Sequence, residues 1–205
     1  MASSPELPLA SATGPASLAE LNRLITEAAS PDPGFGRVVA GEGPVGASVA
    51  LVGEQPGDQE DSEGRPFVGP AGQLLNQALA QSGFDRGQIY VTNAVKRFKF
   101  ELRGKRRIHQ KPTAAEVTHY RWWLYQELAL VGPRMVVALG ATAALALAGK
   151  PVSVTSARGP MRFGEFAGYV TVHPSYLLRI PDIAAKRQAY VDFRADLRRV
   201  RGLVE

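Results

Sequence analysis

Cysteine is absent from the 205-residue sequence, so the chain itself offers neither disulfide bonds nor thiolate metal ligands. No apolar run reaches the roughly 18 residues that a membrane-spanning helix needs. The opening residues, MASSPELPLASATG, contain neither a basic leader nor an apolar stretch typical of secretion signals, and we therefore expect a cytoplasmic protein without a membrane partner. The sequence also lacks a GxxxxGK[ST] phosphate loop, which weakens the hypothesis of a mononucleotide-binding protein.

Basic residues exceed acidic ones by 5, and the isoelectric point is about 9.7, which favours an anionic partner. The hydrophobic fraction of 45% is sufficient for one substantial core, whereas the length is short for two full domains. Residues 1–16 are rich in Ser, Ala and Pro, and we predict a disordered tail there. The remaining residues, 17–205, are predicted to form a single domain that is monomeric.

Strand and helix patterns alternate along the chain. Short runs rich in β-branched residues predict four strands, at Ala47–Val52, Ile89–Thr92, Met135–Leu139 and Tyr169–Val172. Helical spacing predicts helices over Leu18–Ala28, Ala71–Gln81, Thr113–Val131, Thr142–Leu147 and Ile183–Val200. This alternation predicts an α/β fold: a three-layer α/β/α sandwich around a central, mainly parallel four-stranded sheet.

Chemically capable side chains follow three of the predicted strands. Glu54 and Gln55 come after the first strand, Asn93 after the second and His173 after the fourth. Because the carboxyl ends of parallel strands meet at one edge of a sheet, these side chains are expected to line a common ligand site.

The motifs around these residues resemble a known family. GEQPGD at 53–58, GRPFVGPAG at 64–72, Thr92-Asn93 and HPS at 173–175 are together similar to the uracil-DNA glycosylase superfamily, family four. The segment KRRIH at 105–109 resembles the UdgX branch, in which a histidine becomes covalently joined to the DNA sugar. The resemblance covers about residues 45–180 and implies uracil-containing DNA as the partner, with single-stranded DNA accepted.

Each residue type suits the cleavage of a uracil–deoxyribose bond, which develops positive charge on the sugar and negative charge on the base. A carboxylate at Glu54 can stabilise the sugar cation, and an imidazole N–H of His173 can stabilise charge at uracil O2. The amide of Asn93 matches the uracil edge, and Phe67 offers a stacking surface for a flipped base. Gln55 and Asp58 are expected to shape the pocket floor.

A dense basic segment follows the second predicted strand, and we interpret it as a loop that contacts DNA phosphates and makes binding sensitive to salt. The basic residues and the histidine of this loop are Lys96, Arg97, Lys99, Arg103, Lys105, Arg106, Arg107, His109 and Lys111. The residues predicted to contact DNA are Lys96, Lys99, Lys105, Arg106, Arg107 and Arg179.

The UdgX resemblance assigns His109 as a nucleophile. Once the base departs, a neutral imidazole nitrogen near C1′ can capture the sugar cation before water does, with Glu54 accepting the other ring proton. We therefore predict three catalytic residues, Glu54, His109 and His173.

Family-four proteins carry an iron–sulfur cluster with cysteine ligands, and this sequence departs from that pattern. Arg97 and Tyr120 occupy positions near two of the usual ligands, and the remaining histidines do not suggest a cluster site. From the residues alone we predict no metal and no cofactor. Aromatic side chains of the third predicted helix are expected to fill the space: Tyr120, Trp122, Trp123 and Tyr125.

Two alternatives to the covalent hypothesis remain open. A conventional glycosylase would use the basic loop only to grip the strand and would release its product. A non-catalytic module would bind uracil or damaged DNA without cleaving it.

Overall fold

The computed structural model describes residues 14–205, so most of the predicted tail lies outside the described residues. Across these residues none of the helices is both long and apolar enough to cross a membrane. The prediction of a single domain over residues 17–205 stays a prediction.

The chain alternates between strands and helices as the sequence pattern predicted. The strands are β1 (Phe35–Val38), β2 (Val49–Gly53), β3 (Tyr90–Asn93), β4 (Arg97–Arg103), β5 (Arg106–His109), β6 (Met135–Leu139), β7 (Gly159–Phe163) and β8 (Phe166–Thr171). The helices are α1 (Leu18–Ala28), α2 (Asp58–Glu63), α3 (Pro70–Gln81), α4 (Ala114–Val131), α5 (Ala141–Ala148), α6 (Val154–Ala157), α7 (Pro174–Arg179) and α8 (Ile183–Val204). All five predicted helices and all four predicted strands are confirmed, with small differences at their ends.

The central sheet has the strand order β3-β2-β6-β8-β7. The first four strands run parallel, and β7 pairs antiparallel with β8 at one edge. The predicted α/β class is therefore confirmed, but the sheet has five strands rather than four. The short turn between β7 and β8, with Gly164 at φ +59°, lets the additional strand fold directly back on its neighbour.

Side chains alternate between the two faces of this sheet, and both faces are covered. On β2, Ala50 and Val52 pack with α1, α4 and α5, whereas Val49 and Leu51 pack with α3, α7 and α8. A strand buried on both faces becomes apolar along its whole length, which explains the uninterrupted run VALVG. The result is the three-layer sandwich that the sequence predicted.

Polar side chains define where the major helices begin. Thr113 and Glu116 form a reciprocal capping box at α4, in which the Thr113 hydroxyl accepts from the Glu116 N–H and the Glu116 carboxylate accepts from the Thr113 N–H. The Ser17 hydroxyl and the Asp182 carboxylate accept first-turn backbone N–H groups of α1 and α8.

A second sheet lies outside the sandwich, with the antiparallel order β1-β4-β5. It includes the basic segment that the sequence analysis interpreted as a loop, and that interpretation is wrong. Arg103 pairs with Arg106 across a two-residue turn, and Gly104 there has φ +62°. Glycine tolerates this positive φ without a steric penalty, so the segment folds as an ordered hairpin.

Candidate active site

A cavity of about 900 Å³ opens at the carboxyl ends of the parallel strands. Adjacent strands supply its lining because β3, β2, β6 and β8 are neighbours in that order. The cavity brings together six predicted site residues from distant parts of the chain: Glu54, Gln55, Phe67, Asn93, His109 and His173. Arg179, predicted to contact DNA, also lines it.

Glu54 directly follows β2 and lies between the Thr142 hydroxyl and the imidazole of His109. The Thr142 hydroxyl donates to its Oε2, and the Nε2 atom of His109 lies 3.5 Å from its Oε1. Burial acts to raise the pKa of Glu54, but the contacts with His109 and Thr142 outweigh it and place the pKa below the usual 4.5. The carboxyl group is therefore charged at neutral pH.

His173 caps the amino end of α7, and its ring orientation is fixed by Ser175. The Ser175 backbone N–H donates to Nδ1 over 3.1 Å, and the Ser175 hydroxyl lies 2.8 Å from the same nitrogen. Burial lowers the pKa of His173 to about 4, so the ring is neutral near pH 7. Because Nδ1 accepts the backbone N–H, the ring proton is assigned to Nε2, which makes that nitrogen a donor.

Phe67 stacks on His173, with ring centroids 6.2 Å apart and planes inclined by 29°. Its backbone has φ +57°, a region that bulky residues seldom adopt and that persists only where the surroundings enforce it. Two glycines leave the space that this conformation needs. A Cβ on Gly72 would overlap the Phe67 backbone, and a Cβ on Gly53 would lie 2.6 Å from the Phe67 ring and 2.4 Å from the side-chain amide oxygen of Asn93.

Glu60 holds the loop that presents Phe67, and the sequence analysis did not single it out. One carboxylate oxygen accepts the N–H of Gly57 over 3.0 Å, and the other accepts the N–H of Gly69 over 2.8 Å. This nearly buried side chain therefore ties the loop after β2 to the loop before α3. Its signal in the sequence was the Gly-x-x-Glu spacing of an N-terminal helix cap.

His109 is the last residue of β5 and faces the cavity with about half of its side chain exposed. The Gln55 amide nitrogen lies 2.9 Å from His109 Nε2 and donates to the Gln110 carbonyl, while the Gln55 amide oxygen accepts from the Lys99 N–H. These backbone contacts assign the amide orientation, so Gln55 donates to Nε2 and the remaining ring proton belongs to Nδ1.

Arg107 fastens the hairpin to α2. Its guanidinium forms salt bridges with Asp58, over 2.6 Å, and with the buried Asp61. These contacts correct the prediction for Asp58: its side chain is 63% exposed and pairs with Arg107, and it does not line the cavity. Arg107 is accordingly engaged within the protein, which leaves it less available to phosphate.

The predicted DNA contacts at Lys96 and Lys99 also need correction. Lys96 is 3% exposed, and its ammonium group is paired with Glu127 and the Thr92 hydroxyl inside the core, so it cannot reach DNA. Lys99 is partly exposed and forms a salt bridge with Glu116 over 2.8 Å. Lys105 and Arg106, at the exposed tip of the hairpin, are the predicted contacts best placed to meet phosphate.

The structure is an α/β sandwich in which an acid, an amide and two imidazoles line one cavity at the strand ends. The sequence model of the uracil DNA glycosylase superfamily matches residues 40–198, and the chain belongs to that superfamily.

Individual relatives match over most of their length. The Type-4 uracil-DNA glycosylase of Thermotoga maritima is 41% identical over 145 residues, which cover 69% of this chain and 72% of the relative. The Type-4 uracil-DNA glycosylase of Pyrobaculum aerophilum is 35% identical over 159 residues, covering 73% and 78%, and that of Sulfurisphaera tokodaii is 32% identical over 155 residues, covering 71% and 67%.

These relatives correct the prediction of a chain without a cofactor. The resemblance to family four implies an iron–sulfur cluster, and Type-4 relatives match most of the chain. The prediction of no cofactor, which was based on the missing cysteines alone, is therefore contradicted. The side chains of the corresponding region nevertheless do not fit such a cluster. Arg97 donates to the carbonyls of Ser30, Phe35 and Gly36, and residues 14–205 contain no group of three or more His, Cys, Asp or Glu that could hold a metal.

Aromatic side chains pack against α1 in the region around Tyr120, which the sequence analysis compared with a cluster ligand. Tyr120 and Trp123 are buried in one cluster with Leu21 and Ile25 of α1, and the void beside Trp123 has a volume of only about 10 Å³. Two of the four aromatic residues predicted to fill this space are therefore buried there, whereas Trp122 is 39% exposed and Tyr125 is partly buried elsewhere against Phe166.

Proposed function

We propose that this protein excises uracil from DNA and then remains covalently attached to the abasic sugar through His109. The observation that supports the proposal most directly is the position of the His109 imidazole at the mouth of the cavity, 3.5 Å from the charged Glu54 carboxylate. A nucleophile and an anion beside one cavity are what capture of a sugar cation requires.

Base recognition is assigned to Asn93 and Phe67. The Asn93 side chain is 4% exposed, and it can accept from uracil N3–H and donate to O4. Cytosine presents the opposite pattern at these positions, so it would leave a buried amide unpaired. The ring of Phe67 supports the base by stacking.

Bond cleavage is assigned to His173 and Glu54. When the bond between uracil N1 and C1′ breaks, its electron pair leaves with the base, and a neutral His173 that donates from Nε2 stabilises the negative charge at O2. The Glu54 carboxylate stabilises the positive charge on the sugar. The departing base then takes up a proton from water.

Covalent capture is assigned to the Nε2 atom of His109. Its lone pair forms the bond to C1′ after uracil departs, and the proton on Nδ1 is lost to water, which leaves a neutral alkylated imidazole. The contact with Glu54 is to Nε2, so the acid faces the attacking nitrogen rather than accepting the opposite ring proton as the sequence analysis expected. Gln55 must release Nε2 before it attacks.

A turnover glycosylase is the second candidate, and the names of the matched relatives favour it. In that case water, and not His109, captures the sugar. The cytoplasmic location, monomeric state and use of single-stranded DNA remain predictions under both candidates.

A denaturing gel separates these hypotheses. A labelled single-stranded oligonucleotide with one deoxyuridine is incubated with the protein, and the mixture is boiled in SDS before electrophoresis, with free uracil measured in parallel. We expect an SDS-stable shifted band with the wild-type protein, and release of an alkali-labile abasic product with His109→Ser. The exposed His119 on α4 supplies the matched control, and His119→Ser should trap DNA like the wild type.

Each other outcome contradicts part of the proposal. Release of uracil by the wild type without a shifted band identifies a turnover glycosylase. A shifted band with His109→Ser shows that another residue is the nucleophile. Binding without release of uracil by either protein identifies a non-catalytic module.

A further inference from the structure

The turn after β6 brings the side chain of Thr142 between the ends of the two strands that precede Glu54 and His173. In the sheet, β6 lies between β2, which is followed directly by Glu54, and β8, which ends two residues before His173. After Leu139 the chain turns at Gly140, which has φ +91° and donates its N–H to the Thr171 carbonyl. A Cβ at Gly140 would lie 3.1 Å from the His173 Cβ, so the turn packs closely against the site.

Thr142 is the second residue of α5, and its side chain is directed at Glu54. Two other helical threonines, Thr26 and Thr118, donate the hydroxyl to the carbonyl four residues earlier. Thr142 instead donates to Glu54 Oε2, and it is 5% exposed in the cavity wall.

This contact gives the two carboxylate oxygens of Glu54 different partners. Oε2 is held by the hydroxyl, and Oε1 lies 3.5 Å from His109 Nε2. A carboxylate held at one oxygen cannot rotate freely, so the other oxygen keeps its direction towards the mouth of the cavity. Donation of a hydrogen bond also favours the charged form of the acid.

We infer that Thr142 is a positioning residue that orients Glu54 and keeps it ionised for cleavage of the glycosidic bond. The inference rests on the proposed function and adds a specific requirement to it, a hydroxyl donor at position 142. Neither the relatives' names nor the motifs that identified the family assign this residue.

Isosteric variants test the hydroxyl without removing the side chain. Thr142→Val replaces the hydroxyl by a methyl group, whereas Thr142→Ser retains it. Single-turnover release of uracil is followed from pH 4 to 9, and affinity is measured with an oligonucleotide that contains non-cleavable 2′-fluoro-2′-deoxyuridine. If Thr142→Val folds poorly, the pair Thr142→Ala and Thr142→Ser isolates the same hydroxyl.

Loss of the hydroxyl donor should slow excision about tenfold or more at pH 7. Hydrogen bonds to charged groups are stronger than those between neutral groups, and each tenfold change in rate corresponds to about 1.4 kcal/mol of activation free energy. Without the donor the pKa of Glu54 rises, so the acidic limb of the pH–rate profile should move to higher pH. Affinity for the non-cleavable oligonucleotide should change less than about twofold, and Thr142→Ser should restore the wild-type profile.

Two results overturn the inference while leaving the proposed function intact. One is a Val variant as fast as the wild type, and the other is equal slowing in Val and Ser variants without movement of the acidic limb, which indicates a packing role. Failure of the wild type to release uracil refutes the proposed function itself and this inference with it.

Discussion

At the scale of single residues, His173 combines two roles that depend on one hydrogen bond. Its Nδ1 accepts the Ser175 N–H and so caps α7, and the same bond leaves Nε2 as the donor in the cavity. A protonated ring could not accept that N–H. Helix capping and a neutral imidazole that donates into the cavity therefore require the same tautomer. Burial, which lowers the pKa of His173 to about 4, favours this neutral ring.

This neutral histidine predicts a specific loss of stability in acid. In the unfolded chain the ring takes up a proton near its ordinary pKa of 6.5, whereas the folded protein resists protonation until about pH 4. As the pH falls through this interval the unfolded state binds more protons, so the free energy of unfolding decreases. Urea denaturation between pH 7 and pH 4 should show a steeper decrease for the wild type than for His173→Gln, which cannot titrate. Parallel curves for the two proteins would contradict a buried neutral ring.

The sequence predicted which residues meet at one cavity where these residues lie in motifs that follow strands. Glu54, Asn93 and His173 follow parallel strands, and strand order alone brings such positions to one edge. Asp58 lies in the same motif as Glu54, but it begins α2 and turns towards Arg107. Thr142 follows β6 in the corresponding position, yet a threonine beside a run of alanines gives no chemical signal without the fold.

At the scale of structural elements, the hairpin of β4 and β5 is the main feature that the sequence analysis missed. Its alternation of Arg97, Phe98, Lys99 and Phe100 has the period of a strand, but the density of charge suggested a loop that contacts DNA phosphates. Phe98 is buried, and Arg107 lies over the rings of Phe98 and Phe100. Packing of this kind cannot be derived from composition, because it depends on which partner covers each face.

The start of this hairpin is anchored by a buried ion pair that can be tested directly. Glu127 accepts from Lys96, Thr92, Tyr90 and the Gly41 N–H, so removal of the lysine leaves a buried carboxylate without its counter-charge. Lys96→Met should lower the free energy of unfolding by about 3–5 kcal/mol. Urea denaturation provides the measurement.

Lys105→Met provides the matched control, because Lys105 lies exposed at the tip of the same hairpin. We expect this substitution to change stability by less than about 0.5 kcal/mol. Equal losses of unfolding free energy in the two variants would contradict the buried ion pair and would indicate that Lys96 lies at the surface.

At the scale of the whole molecule, the hairpin of β4 and β5 extends from the cavity to the positively charged surface. β5 begins at the exposed Arg106 and ends at His109 in the cavity, so one strand of four residues spans both. Within residues 14–205, the hairpin arginines and lysines Lys99, Arg103 and Arg107 form salt bridges with the protein's own carboxylates. The number of basic residues in the hairpin therefore overstates the number of cations that it offers to DNA.

This distribution of charge predicts how binding depends on salt. Each phosphate contact on single-stranded DNA contributes about 0.7 to the slope of log affinity against log salt, because a condensed counterion is released. The double variant Lys105→Ala/Arg106→Ala should reduce that slope by up to about 1.4, while excision at saturating protein concentration stays within about twofold of the wild type. Fluorescence anisotropy with a labelled oligonucleotide at several salt concentrations measures the slope.

Lys150→Ala is the control. Lys150 is exposed beyond the carboxyl end of α5, whereas the amino end of this helix borders the cavity, so loss of Lys150 should leave the slope unchanged. An unchanged slope in the double variant would mean that phosphates are held elsewhere, with Arg179 at the cavity rim as the next residue to replace.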